Sequence, residues 1–180
     1  PVESANSACT MTDLEFAQLE AELYDDFPLP LQSLHGPRHW RRVDRYGCLL
    51  AAETGADLEV VRRFALFHDC QRFSEGIDPM HGSRGSEWAL RYCERELSPE
   101  RMQLLCLACE GHSGGYCSDN VTLGTCWDAD RLDLDRVGTE VLPVYMSSDY
   151  GRHLAALAAE DRQRLAGLGR FWDGIDSLLH

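Results

Sequence analysis

The sequence has no lysine: all 17 of its basic residues are arginine. Genomic composition produces such a bias, and no function is read from it. There is no run of about 18 apolar residues, so no membrane-spanning helix is expected. The first residues lack a basic stretch followed by an apolar one, so no secretory signal is expected either. Positive charge is scarce beside negative charge, and the formal net charge is -13. A broad nucleic-acid surface needs an excess of positive charge and is therefore excluded, whereas a local basic pocket for one phosphate is not. Internal repeats, low-complexity tracts, long linkers and the apolar–polar alternation of strands are all missing.

Cysteine is present, at positions 9, 48, 70, 93, 106, 109, 117 and 126. Without a secretion signal these read as mostly reduced thiols of a cytoplasmic protein. Cys106 and Cys109 have the separation of a zinc-binding pair, with Cys117 and Cys126 to complete it. They fall in a helical pattern instead of a turn, which argues against a structural zinc site.

The chain has 180 residues, of which 44% are hydrophobic. That is enough for one domain with a full core, and residues 1–180 are read as one domain. The pattern is helix after helix. Helices are expected over residues 12–26 with Thr12 as cap, 37–53 with Pro37 in the first turn, and 57–70. Others are expected over 83–97, 98–110 behind Ser98-Pro99, and 121–136. The tail over 150–179 reads as largely helical, weakened at Gly167, Gly169 and Gly174. Residues 71–83 and 111–120 read as loops. The fold class is all-α, with roughly six to eight helices.

Four of these helices carry a chemically active side chain on an apolar stripe. His39 lines up with Val43, Tyr46 and Leu50 by three- and four-residue steps. His68 lines up with Leu58, Val61 and Ala65, and Asp69 is its neighbour. His112 follows Met102, Leu105 and Cys109, and Asp130 lies between Trp127 and Leu134. A histidine and a carboxylate are costly to bury without partners, yet "FALFHDC" ends a core run in His68-Asp69. A single buried histidine is ordinarily a satisfied core residue. Several on successive helices suit a metal such as zinc, manganese, iron or cobalt. Trp40, Trp88, Trp127 and Trp172 read as core aromatics, with Trp127 able to wall a pocket.

"HGPRHWRRV", "FALFHDC", "DPMHGSRGSEWA", "EGHSGG" and "DADRLD", in that order, resemble the HD-domain metal-dependent phosphohydrolase superfamily. The resemblance spans residues 33–136, the HD-type metal-binding core, and leaves 140–180 as a C-terminal helical extension packing on it. It implies a single-domain helical bundle in which His39, His68, Asp69 and Asp130 are metal ligands. His39 is preferred to His35 because "WRRV" follows it and it lies inside the helix. Asp130 is preferred to Asp128, the fallback ligand, because it holds the "ADRL" position. Asp128 otherwise reads as an exposed or supporting carboxylate, Asp133 as a surface or salt-bridging one, and His35 as a hydrogen-bonded loop residue.

The resemblance also gives His81 and His112 two roles, ligands of a second ion or contacts to substrate and water. Asp69 can orient or deprotonate the attacking water. Arg42, Arg72, Arg84 and Arg131 lie near the motifs and are the side chains suited to bidentate phosphate contact. Glu87 and Glu110 can support the ligands. The implied cofactor is one or two divalent ions: manganese, cobalt, magnesium, iron or zinc. The implied reaction is hydrolysis of a phosphate ester in a small phosphorylated metabolite or nucleotide, with no membrane partner. A di-iron oxygenase and a noncatalytic metal- or ligand-binding domain are the alternatives. Neither the synthetase segment of long alarmone enzymes nor the "GYP" extension of cyclic dinucleotide phosphodiesterases is present.

Overall fold

A computed structural model describes residues 10–168. Cys9, Gly169, Trp172, Gly174 and the last part of the expected tail helix lie outside the described residues. The described chain is all-α. In order, α1 is Asp13–Leu23, α2 Pro37–Thr54, α3 Leu58–Phe67, α4 His81–Cys93, α5 Pro99–Gly111, α6 Val121–Arg131, α7 Asp149–Ala155 and α8 Ala159–Leu165. Short 3-10 turns cover His112–Gly114, Leu134–Val137 and Pro143–Tyr145.

Helix starts follow their caps. Thr12 and Glu15 form a reciprocal capping box at α1, and Asp57, Ser98 and Asn120 each accept from a first-turn backbone N–H of the helix that follows. Pro37 and Pro99 stand in the first turns of α2 and α5. The αL residue Gly55 closes α2.

The centre of the bundle is α3, which packs against α1, α2, α4, α5 and α6. Its sequence, LEVVRRFALF, has no continuous polar face, and every residue from Glu59 to Phe67 is buried. The charges on it are paired: Arg62 with Asp44 at 2.9 Å, and Arg63 with Glu59 at 2.8 Å. Helix α4 comes unusually close to its neighbours. A Cβ on Gly85 would collide with the Phe67 carbonyl oxygen, and one on Gly82 with that of Cys109. These two glycines let α4 bring its first residue against the end of α3.

Helix α4 begins at His81, two residues earlier than expected, so His81 belongs to a helix and not to a loop. Helix α6 ends at Arg131 instead of near residue 136; Leu132 to Asp133 turn away, and Leu134–Val137 forms a 3-10 turn. The "GHSGG" stretch also contains a turn, His112–Gly114, with Gly115 in the left-handed region after it.

Candidate metal centre

Five helix ends converge on one point. His39 comes from the first turn of α2, His68 and Asp69 from the end of α3, His81 from the start of α4, His112 from the end of α5, and Asp130 from the last turn of α6. The histidines are buried, and the Asp130 side chain is 14% exposed. The ligand-type atoms form two groups that can each hold an ion, His39–His68–Asp130 and Asp69–His81–His112. Asp69 stands between them. Its Oδ2 lies 3.7 Å from both His39 Nε2 and His68 Nε2. Its Oδ1 lies 3.4 Å from His81 Nε2 and 3.7 Å from His112 Nε2. One carboxylate oxygen thus faces each group.

All four histidines point Nε2 inward and tie Nδ1 outward. His39 Nδ1 meets Asp133 Oδ2 at 2.9 Å, and His68 Nδ1 meets the Phe64 and Ala65 carbonyls at 3.1 Å. His112 Nδ1 meets the Cys109 carbonyl at 2.6 Å, and His81 Nδ1 the Asp78 carbonyl. A carbonyl only accepts, so His68, His81 and His112 donate from Nδ1. In the neutral ring the inward Nε2 is then a lone pair, the tautomer a metal needs.

The Nε2 atoms of His39 and His68 are 3.0 Å apart, and those of His81 and His112 are 2.9 Å apart. Two lone pairs that close repel unless a cation stands with them. Without an ion, one proton shared within each pair can take that part. Burial and Arg136 oppose a charge on His39, but its hydrogen bonds to the Asp130 and Asp133 carboxylates outweigh them and raise its pKa. Burial pushes its partner His68 down to about 3. In the other pair, His112 is raised against burial by its hydrogen bond to Asp69, and His81 is lowered by burial and by His112. Burial pushes the Asp69 carboxyl up, yet His68, His112 and His35 together hold it well below the usual carboxylate range. The donor set therefore fits divalent metal: inward lone pairs, two ionised carboxylates, and outward Nδ1 atoms already satisfied.

The centre opens onto a cavity of about 520 Å³ lined by His35, Asp69, Arg72, His112, Asp130, Arg131 and Arg136 on its polar side. The Arg72 guanidinium lies 3.4 Å from Asp69 Oδ1 and 3.2 Å from His81 Nε2. Arg131 also lines the cavity but donates to the Tyr145 and Tyr116 carbonyls, at 2.7 and 2.6 Å.

The structure does not bring every expected residue to the site. Arg42 is absent from this cavity; its Nε donates to Asp133 Oδ1 at 2.5 Å, behind His39. Arg84 is absent too. It donates to Asp78 Oδ2 and the Gln71 carbonyl and lies over the Phe73 ring. Asp128 is fully buried and away from both groups, because its oxygens accept from Ser147 N, Ser148 N and Ser148 Oγ at the start of α7. Glu87 and Glu110 are exposed, and Glu110 accepts from Ser86 Oγ. Trp127 packs under Gly111 and donates to the Ala108 carbonyl instead of walling the cavity. Among the described residues no cysteine joins a metal-holding group.

Three residues matter more than the sequence suggested. Asp133 is fully buried, not a surface residue, and is the acceptor that orients His39. His35 sits in the cavity with Nδ1 2.9 Å from Asp69 Oδ2. Arg136 donates to the Leu34 and Asp133 carbonyls and approaches His35 Nδ1 at 3.3 Å. The "LDLDR" that follows the "ADRL" position holds two of them, but nothing in its spacing marks them as inward.

An all-α bundle with a His/Asp centre at its helix ends is the architecture expected of the HD-domain fold. A solved structure shares the overall fold. The chain matches a predicted HD superfamily hydrolase from an uncultured Thermotogales bacterium with a TM-score of 0.61 and 23% identity, over 93% of this chain and 92% of that one. The likeness shows the fold. No protein-family model and no curated protein matches the chain.

Proposed function

We propose that the chain is a metal-dependent hydrolase of the HD type that cleaves a phosphate ester in a small molecule. The carrying observation is Asp69, whose two oxygens face two His/Asp groups at the floor of a cavity. His39, His68 and Asp130 would hold one ion, and His81 and His112 a second, with Asp69 reaching both. When bound, a divalent ion lowers the pKa of coordinated water and stabilises charge on the phosphoryl oxygens.

The chain's own residues supply the rest. Asp133, Asp78 and the carbonyls of Phe64 and Cys109 fix the imidazole tautomers, so Nε2 faces inward before any ligand arrives. His35 donates Nδ1–H to Asp69 Oδ2 and keeps that carboxylate oriented. Asp69, held ionised, accepts a hydrogen bond from the attacking water and orients it. Arg72 lines the cavity with Nε and Nη2 held by the Ser74 and Gly76 carbonyls, which leaves Nη1, 3.4 Å from Asp69 Oδ1, to meet a phosphoryl oxygen.

The test is hydrolysis of phosphomonoesters by the manganese- or cobalt-loaded protein, with Asp69→Ala as comparison. The expected result is metal-dependent phosphate release that Asp69→Ala abolishes while its helical circular dichroism persists. Full activity in Asp69→Ala would overturn the reading. Two bound irons with a mixed-valence signal, and no phosphate release, would favour the oxygenase alternative.

A further inference from the structure

We propose that the cavity selects a phosphate monoester whose leaving group is an apolar alcohol, held by the wall formed by residues 134–146. The inference rests on the phosphohydrolase reading and names its substrate class. The cavity is lined by Asp69, Asp130, His35 and His112 of the candidate centre. The same cavity is lined from residues 134–146 by Leu134, Val137, Leu142, Tyr145 and Met146, with Thr139 and Glu140 between them.

Three of these side chains are left exposed by the fold. Val137 is 38% exposed, Leu142 37% and Tyr145 51%, all facing one cavity that adjoins the metal-type ligands. Apolar side chains converging on a concave site next to a few fixed polar groups are the pattern of a small-molecule pocket. Their place fixes the occupant, since whatever they cover must be joined to the group held at Asp69 and Asp130.

The charges on the cavity limit the polar part to one phosphate. Arg131 directs its donors to the Tyr145 and Tyr116 carbonyls, and so braces the wall. Arg136 directs Nε and Nη1 to the Leu34 and Asp133 carbonyls, and its Nη2 lies beside His35 at 3.3 Å. Arg72 is the guanidinium at the floor, and Glu140 on the wall side would repel a second or third phosphate. A volume of about 520 Å³ accommodates a phosphate with a six-carbon or aromatic group.

The step is ordinary ester hydrolysis. The water oxygen bonds to phosphorus, and the bond from phosphorus to the ester oxygen breaks with its electron pair. One water proton ends on that oxygen to release the alcohol, and the other stays on phosphate.

The experiment compares hexyl phosphate with methyl phosphate, whose leaving groups are chemically matched, alongside glucose 6-phosphate and a nucleoside triphosphate. Hexyl phosphate is expected to exceed methyl phosphate and glucose 6-phosphate in kcat/KM by roughly 10-fold or more. In Leu142→Asp and Tyr145→Ser, both at exposed positions, that ratio should collapse while bound metal stays at the level of the unaltered protein. Calorimetric titration with hexylphosphonate and methylphosphonate, which are not hydrolysed, gives the same comparison without turnover. Equal affinity and equal turnover for the two chain lengths, or a preference for glucose 6-phosphate or the triphosphate, would overturn the wall's role while leaving a phosphohydrolase. Tight hexylphosphonate binding that Leu142→Asp removes, with no hydrolysis of any ester, would uphold the wall and overturn the reaction.

Discussion

Asp133 acts on the site through His39. It accepts from His39 Nδ1 at 2.9 Å and from Arg42 Nε at 2.5 Å, with no exposed surface. Arg84 plays a matching part on the other side, because it holds Asp78, whose carbonyl accepts from His81. Both arginines were expected on the phosphate and instead stand one step behind a histidine. Asp133→Asn keeps the shape but removes the charge, and should weaken metal binding by roughly 10- to 100-fold, as losses behind a ligating histidine do. Competition with a chromogenic chelator measures it; unchanged affinity would mean that His39 needs no orientation.

His68 gives the sharpest pH consequence. Burial depresses its pKa to about 3 in the folded chain, against about 6.5 for an exposed histidine. Below pH 6.5 the unfolded chain takes up a proton that folded His68 refuses, so this residue's contribution to stability falls as pH drops from 6.5 towards 3. In nitrogen-detected NMR of the metal-free protein, His68 should stay neutral and protonated at Nδ1 at pH 5. A charged His68 there would contradict the burial argument.

At the scale of elements, the caps and apolar stripes were legible. Thr12, Asp57, Ser98 and the early prolines mark helix starts, and His39, His68 and His112 ride stripes that are buried. The start of α4 was read two residues late because it has no side-chain cap and its "HGSRG" looks like loop chemistry. The glycines serve proximity instead. Gly85→Ala would press a methyl group into the Phe67 carbonyl, a backbone atom that cannot swing aside. It should destabilise the fold by roughly 1–3 kcal/mol or more, read as a lower urea midpoint, and should loosen His81. An unchanged midpoint would show that α4 is free to shift. The cavity wall was illegible for a different reason. Residues 134–146 make 3-10 turns and irregular chain, and such chain carries no periodicity that reveals an inward face.

Across the whole molecule, the central helix and the centre at its end are one construction. Helix α3 is buried along its length, and His68 and Asp69 are fixed where it stops. On the proposed reading, the paired lone pairs couple ion binding to folding. An ion at 100 times its dissociation constant should stabilise the protein by about 2.7 kcal/mol, seen as a higher Tm that a chelator reverses. Equal melting with and without the chelator would show that the centre adds nothing to folding.

The central claim is that Asp69 joins two ion-holding groups. Metal content per chain, after loading with manganese or cobalt and removal of excess, tests it most directly in the unaltered protein, His81→Ala and Asp69→Ala. The account predicts two ions in the first, one in His81→Ala, where His39, His68 and Asp130 remain, and less than one in Asp69→Ala. A single ion in the unaltered protein that persists undiminished in both variants would contradict it.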